Sequence, residues 1–88
     1  MFKSKNKINE DKKYKGTTLF VTKYDDVDVE VLLNIIVKNI EGYVRQEHKM
    51  PEKLRLTYNS YLKIINYKSS LIEKRDGKSY TFGVEIEI

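Results

Sequence analysis

The last eleven residues, 78–88, constrain the fold of this chain more than any other stretch. From residue 80 onward, every second residue is apolar and the residues between are Thr, Gly or Glu. The apolar positions are Tyr80, Phe82, Val84, Ile86 and Ile88. Because a β-strand points successive side chains to opposite faces, this alternation predicts one strand with an apolar and a polar face. Such a strand lies with one side on a core and the other toward water, so the rest of the chain is expected to cover the apolar side.

Length and composition place the chain among small single-domain proteins. With 88 residues it can form one core, and much of the chain stays near solvent. The absence of cysteine excludes disulfides, thiolate metal ligands and a thiol nucleophile. The N-terminal residues contain no uninterrupted apolar run, so neither a signal peptide nor a membrane span is expected. These observations predict a soluble, cytoplasmic protein.

Charge is distributed unevenly along the chain. Residues 1–15 carry six lysines against Glu10 and Asp11, a net of +4, whereas residues 16–88 carry eleven basic and eleven acidic residues, a net of zero. The leading segment has few apolar residues and no period that would bury them together. Such a composition does not compensate the entropy of ordering, so residues 1–15 are predicted to be a flexible basic arm. Residues 16–88 form the predicted domain.

The clearest helix follows a short strand predicted at residues 17–23. Asp25 and Asp26 are candidate N-caps, and apolar residues recur at spacings of three and four from Val29 to about His48. The apolar sector of this helix is wider than one stripe. That width predicts burial on more than one side or a surface for a partner. The residues that widen it are Val31, Ile35 and Val37.

The segment between the long helix and the final strand allows three interpretations. After Pro51, the alternation in residues 53–58 predicts a strand, and Asn59 or Ser60 would cap a second helix over about 60–74. The apolar spacing from Leu54 to Ile65 also fits one long helix. Alternatively, Asp76-Gly77 is a two-residue hairpin turn and residues 68–75 are a strand. The second helix is preferred because residues 69–75 contain poor strand formers.

Together these elements predict an α+β fold in a single small domain. Two helices would pack on one face of a sheet of about three strands, with the flexible basic arm in front. Val84 and its apolar neighbours would then face the helices, while Glu85 and Glu87 would face water.

No set of residues predicts catalysis or a bound metal. His48 is the only histidine and has no cysteine or second histidine as a co-ligand. The acidic residues from Asp25 to Glu30 lack the spacing and turn glycine of a calcium loop. Glu85 and Glu87 lie about 7 Å apart on one strand face, a carboxylate separation used in glycoside hydrolysis, but the chain offers little room for a cleft. An enzyme is therefore not expected, and no catalytic residue, metal or cofactor is assigned.

Nucleic-acid binding is an alternative led by the arm. Lysine and arginine side chains neutralise phosphates, and an arm-led contact would be non-specific and salt-sensitive. Tyrosines on a sheet can also stack bases, but the alternation assigns Tyr80 and Phe82 to the core. The candidate phosphate-binding residues are Lys3, Lys5, Lys7, Lys12, Lys13 and Lys15 in the arm, with Arg45 and Arg55 in the domain.

Residues 51–88 resemble small α/β accessory proteins of bacteriophages and prophages. The resemblance is carried by Pro51-Glu52-Lys53-Leu54-Arg55-Leu56, by Tyr61 and by Phe82-Gly83-Val84-Glu85-Ile86. In such proteins a strand after proline is followed by a helix and then by a closing strand with an aromatic-Gly-aliphatic step. The abundance of residues with A/T-rich codons, lysine above all, agrees with such an origin. The resemblance implies no activity, since these proteins include virion parts and host-directed inhibitors.

These observations favour binding over chemistry. The leading hypothesis is a non-enzymatic phage or mobile-element accessory protein that binds a protein partner, such as a host factor, through Val31, Ile35 and Val37. It would then act in the cytoplasm of a bacterial host. The alternatives are a nucleic-acid-binding protein that uses its basic arm, and a small virion or assembly component that self-associates through an unpaired sheet edge.

Overall fold

The computed structural model of the protein describes residues 14–88. Within that range the chain forms two α-helices and six β-strands. In chain order they are β1 (Tyr14–Lys15), β2 (Thr18–Val21), α1 (Val29–Glu47), β3 (Lys53–Leu56), α2 (Tyr58–Tyr67), β4 (Glu73–Arg75), β5 (Lys78–Thr81) and β6 (Val84–Glu87), with one turn of 3-10 helix at Ser69–Leu71. Residues 1–13 of the predicted arm lie outside the described residues.

The six strands form one mixed sheet with the order β1-β2-β3-β6-β5-β4. The central strands β2, β3 and β6 are parallel, whereas β1 and the β4–β5 pair join them in antiparallel fashion. The α+β class is therefore confirmed, but the prediction of about three strands is wrong. The sheet is larger because the end of the predicted arm, the end of the predicted second helix and a break in the predicted terminal strand each contribute a strand.

Helix α1 occupies the stretch where the apolar period predicts it. Asp28 is its N-cap residue, and neither Asp25 nor Asp26 takes that position. The helix ends at His48, whose φ of 61° lies in the left-handed region and lets the His48 N–H donate to the carbonyl of Val44 at 2.8 Å. One stripe of the helix is buried, at spacings of three and four: Leu32, Ile36, Ile40 and Tyr43.

The second helix is shorter than the predicted span of 60–74. It starts after Thr57, whose side-chain oxygen accepts a hydrogen bond from the Ser60 N–H at 3.1 Å, and ends at Tyr67. The chain then forms a hairpin of β4 and β5 around Asp76-Gly77, with φ values of 52° and 78°. Left-handed φ values at both positions are what a tight hairpin turn requires. The hairpin at Asp76-Gly77 is therefore present, although the helix was preferred from the sequence.

The predicted single strand from residue 78 to 88 is interrupted by a turn. Phe82 and Gly83 have φ values of 52° and 81° and reverse the chain, so that Thr81 pairs with Val84 and Tyr80 with Glu85. Paired residues in a sheet point to the same face. Tyr80 therefore lies on the face opposite to Val84, and Phe82 is an exposed turn residue. The assignment of Tyr80, Phe82 and Ile88 to the core face is wrong, whereas Val84 and Ile86 are buried.

Both helices pack on one face of the sheet. The connection β2-α1-β3 and the longer connection from β3 through α2 and the β4–β5 hairpin to β6 move in the same direction across the sheet, and right-handed connections place both helices on the same side. The inward residues of the parallel strands and the buried stripe of α1 form one cluster with Ile64 of α2. The strand residues of that cluster are Leu19, Val21, Leu54, Leu56, Val84 and Ile86.

A buried hydroxyl weakens this core. Thr81 is 2% exposed, and its side-chain oxygen has no hydrogen-bond partner within residues 14–88. Burying a polar group without a partner costs about 1–3 kcal/mol. We therefore expect Thr81→Val, which has nearly the same shape, to raise the free energy of unfolding by about 1 kcal/mol in urea denaturation. Thr18→Val makes the same change on the solvent-facing side and should have little effect. A loss of stability in Thr81→Val would contradict the assignment of an unpartnered hydroxyl.

Candidate functional site

No residue in the range 14–88 covers the face of the sheet opposite the helices, and we call it the open face. Side-chain alternation and the cross-strand pairs assign its residues. They are Lys15, Thr18, Phe20, Lys53, Arg55, Glu73, Arg75, Lys78, Tyr80, Glu85 and Glu87. None of these residues is buried, in contrast to those of the inward face, and about half of them are exposed while the others are partly buried.

One row on this face runs across all six strands. Each member is the register partner of the next, from the β1 edge to the β4 edge. The row contains two basic, two neutral and two acidic side chains. In order across the sheet it reads Lys15, Thr18, Lys53, Glu85, Tyr80 and Glu73.

A second row lies one step further along the parallel strands. Phe20 on β2 pairs with Arg55 on β3, and Arg55 pairs with Glu87 on β6. The Arg55 guanidinium lies 3.8 Å from the Glu87 carboxylate, and the two side chains are 44% and 38% exposed. An ion pair this exposed contributes about 0–1 kcal/mol to stability, so it orders the surface more than it stabilises the fold.

The β4–β5 end of the open face is preorganised around Tyr80. The Arg75 guanidinium lies over the Tyr80 ring, 4.2 Å from its centroid, and Arg75 Nε is 3.2 Å from the Glu73 carboxylate. A cation over an aromatic face is attracted to the ring, by about 0.5–1 kcal/mol at exposed sites. The three side chains thus hold one another in place before any partner arrives. Phe20 on β2, the strand next to β3, is the second aromatic residue of the face.

The structure does not bring the predicted partner residues of α1 into one patch. Val31 and Ile35 lie one turn apart, with Val31 48% exposed and Ile35 packed against the core. Val37 is two residues beyond Ile35, about 200° around the helix, so it lies on the other side of the buried stripe. The width of the apolar sector therefore reflects two separate flanks of a core helix.

The predicted phosphate-binding residues are also divided. Arg45 is exposed in the last turn of α1, in the helix layer, whereas Arg55 lies on the open face. Lys15, the last residue of the predicted arm, is exposed on β1 at the edge of the open face. The remaining lysines lie outside the described residues: Lys3, Lys5, Lys7, Lys12 and Lys13.

A polar cluster at the carboxyl ends of β2 and β3 resembles a ligand site in position but is satisfied internally. The Asp25 carboxylate accepts hydrogen bonds from the hydroxyls of Thr57 and of Ser60, the latter at 3.2 Å. Lys63 Nζ donates to the backbone carbonyls of Asp25 and Val27, at 2.8 Å for Val27. Asp25 therefore occupies the N-terminus of α2 as an internal anion and ties the β2–α1 loop to that helix.

Three tyrosine phenols link elements on the helix side of the sheet. Tyr14 donates to Glu47 at 2.8 Å and Tyr67 to Glu30 at 3.1 Å, and these hydrogen bonds raise the pKa of both phenols. Tyr61 lies 3.5 Å from the Ser79 hydroxyl, and that hydrogen bond, with Lys74 nearby, lowers the Tyr61 pKa. These contacts attach β1, α2 and the hairpin to their neighbours.

The other candidates from the sequence do not form a site in the part of the chain that the structure describes. His48 is the exposed C-cap of α1, and Glu85 and Glu87 lie on the open face, where Glu87 contacts Arg55. Among residues 14–88, no group of three or more histidine, cysteine or acidic residues is arranged to hold a metal ion. No helix in the same range is long and apolar enough to cross a membrane.

Phe20 and Tyr80 are the residues of this surface that the sequence reasoning missed. Tyr80 was assigned to the core because the turn at Phe82-Gly83, which moves Tyr80 to the other face, was not predicted. Phe20 lies in a strand too short to show alternation.

Comparisons with protein-family models, with curated proteins and with solved structures find no match to this chain.

The Asp25 cluster predicts a stability effect that separates it from a ligand site. Asp25→Ala removes the acceptor of two hydroxyls, one of which belongs to the fully buried Ser60. We expect the free energy of unfolding to fall by about 2–3 kcal/mol in urea denaturation. Asp26→Ala, at the exposed neighbouring residue, should change it by less than about 0.5 kcal/mol. Equal effects of the two variants would show that Asp25 does not tie the loop to α2.

Proposed function

We propose that this chain acts by binding another protein chain rather than by catalysis, and that the open face is its binding surface. The observation that carries the proposal is the six-strand row, in which two basic and two acidic side chains with two neutral ones lie on a sheet face that no described residue covers. Sheet backbones hold side chains in fixed relative positions, so a partner meets a preorganised pattern of charge. Preorganisation lowers the entropy lost on binding.

The mixture of charges favours a protein partner over nucleic acid. The open face carries five basic residues and three glutamates, and two of the basic side chains, Arg55 and Arg75, already contact a glutamate. Binding to phosphates gains affinity from each unpaired lysine or arginine, and nearby carboxylates oppose it. A protein surface can offer both signs of charge in a complementary arrangement.

The two aromatic residues supply the apolar part of such an interface. Aromatic side chains with a few flanking charges dominate the energetics of many protein interfaces. Tyr80 and Phe20 lie on opposite sides of the central β3–β6 pair, and both are half-buried before a partner binds. Each can therefore bury its remaining surface with little loss of side-chain freedom. We propose these two residues as the anchors of the interface.

The resemblance to bacteriophage proteins suggests where this chain and its partner occur, and this origin is part of the same proposal. Support comes from the A/T-rich residue usage and from β3 and α2, which follow Pro51 in the order that the resemblance implies, although the β4–β5 hairpin separates α2 from the closing strand β6. On this proposal the chain is an accessory protein of a phage or mobile element. Its partner is then a protein present in a bacterial cytoplasm, either a host factor or a phage product.

Truncation of the anchor tyrosine tests the surface. Tyr80→Ala removes the ring from the open face, whereas Tyr58→Ala removes a ring that is 60% exposed on α2, in the helix layer. We expect the immobilised wild-type chain and Tyr58→Ala to retain the same proteins from a bacterial lysate, and Tyr80→Ala to lose them at least about tenfold. Circular dichroism verifies that both variants are folded. Loss in Tyr58→Ala with retention in Tyr80→Ala would place the binding surface on the helix layer and contradict the proposal.

Arm-led nucleic-acid binding is kept as a second candidate because Lys15 joins the arm to the open face. Fluorescence anisotropy with labelled DNA and RNA should compare the full chain with one starting at Tyr14. Tyr14 must be retained because its ring packs edge-to-face on Tyr43, with the ring centroids 4.7 Å apart. We expect binding by the full chain at low salt to be lost in the shortened chain and to fall steeply at moderate salt. Tight binding by the shortened chain would instead assign nucleic acid to the sheet.

A further inference from the structure

The charges of the six-strand row change sign about its centre. From the β1 edge, the first three residues are Lys15, Thr18 and Lys53, which are positive, neutral and positive. From the β4 edge, the first three are Glu73, Tyr80 and Glu85, which are negative, neutral and negative. The centre of this pattern lies between β3 and β6, which are adjacent parallel strands. A surface with this property is complementary to itself.

A two-fold axis parallel to the strands brings the complementary halves together. If the axis lies over the boundary between β3 and β6, then β3 of one copy faces β6 of the other, β2 faces β5 and β1 faces β4. Lys53 then faces Glu85, Lys15 faces Glu73, and Thr18 faces Tyr80. Each contact occurs twice because a two-fold interface uses the same surface on both copies.

The centre of the second row fits the same axis. Arg55 on β3 of one copy faces Glu87 on β6 of the other, so an interchain ion pair replaces or extends the intrachain one. Phe20 on β2 then faces Lys78 on β5, which lies two residues before Tyr80 on that strand and pairs with Arg75. Opposite charges therefore meet at the centre of this row, and its outer position brings an aromatic ring against a basic side chain.

Other symmetric arrangements of the same face bring like charges together. A two-fold axis perpendicular to the strands in the plane of the interface would place β3 over β3 and β6 over β6. Lys53 and Arg55 would then face basic residues, and Glu85 and Glu87 would face acidic ones. Like charges in direct opposition are strongly unfavourable at an interface. The charge pattern therefore selects one orientation.

We infer that the open face binds a second copy of this chain, face to face, about a two-fold axis parallel to the strands between β3 and β6. This inference rests on the proposal that the open face binds protein, and it names the partner. It differs from self-association through a sheet edge, because the contact uses side chains and leaves the edge strands free.

The size of the face sets the strength of the contact. Six strands at about 4.8 Å and four residues at about 3.3 Å give a face of about 29 by 13 Å. This area is smaller than that of standard stable interfaces, so we expect the dimer to be weak. Opposed charges on sheets about 10 Å apart are screened by salt, and the association constant should fall as ionic strength rises.

Charge reversal at the centre of the row tests the inference. In a dimer of the Lys53→Glu variant, two acidic side chains face each other at each central contact. In a dimer of the Glu85→Lys variant, two basic side chains do so. We expect each variant alone to lose at least about tenfold in association constant by sedimentation equilibrium, relative to the wild type. An equimolar mixture of the two variants should recover association as a heterodimer, because each negative centre then faces a positive one.

The mixture also controls for folding. Lys53 and Glu85 are register partners within one chain, so each reversal places like charges side by side in the sheet. Mixing does not relieve that intrachain repulsion, and a recovered association therefore reports the interface. If either variant is unfolded by circular dichroism, Arg55→Glu and Glu87→Arg repeat the test in the second row.

Three results would overturn the inference. They are a wild-type chain that remains monomeric at millimolar concentration, single variants that associate as well as the wild type, and a mixture of folded variants that remains monomeric. A monomeric wild type that still captures a different protein, and loses it in Tyr80→Ala, would overturn the second copy as partner while preserving the proposed function. Monomeric behaviour with no capture would remove both.

Discussion

The turn at Phe82-Gly83 determines which side chains the sheet buries. A two-residue turn makes Thr81 pair with Val84 and Tyr80 pair with Glu85. Thr81 and Val84 therefore lie on the inward face of the sheet, and Tyr80 and Glu85 lie on the open face. Phe82 adopts a φ of 52°, which costs a residue with a side chain about 1 kcal/mol or more. The pairing of β5 with β6 and the burial of Val84 and Ile86 offset that cost. Tyr80 lies on the open face because the chain adopts this turn.

The layered arrangement follows from the two crossovers. Parallel strands need long connections, and α1 and α2 supply them on one side of the sheet, where their apolar stripes complete a single core. The open face carries mostly polar and charged residues, and the strand register aligns their charges in rows across the sheet. Asp25 binds the loop after β2 to the start of α2, so the two crossovers are also connected to each other. The surface proposed for binding is thus the necessary outer side of a two-layer domain.

The sequence predicts the parts of this fold that repeat a period many times. Helix α1 is evident because its apolar spacing persists over five turns, and β3 because Pro51 precedes alternating leucines. The hairpins are harder to recognise, because β4 is made of charged residues and Phe is an unusual residue for a left-handed turn position. The open face could not be predicted, since it depends on the register between strands that are distant in the sequence. Because the turn at Phe82-Gly83 was not predicted, Tyr80 was assigned to the core instead of the surface, and the candidate site was missed.

The composition of β4 has a consequence for aggregation. This strand lies at one edge of the sheet, and its three residues, Glu73, Lys74 and Arg75, are all charged and exposed. Short charged edge strands disfavour the addition of strands from other molecules. The alternating segment 80–88 has the pattern that forms cross-β fibrils when extended, but in the fold it is bent at Gly83 and enclosed between β3 and β4. The domain therefore keeps this alternating segment away from the edges of the sheet.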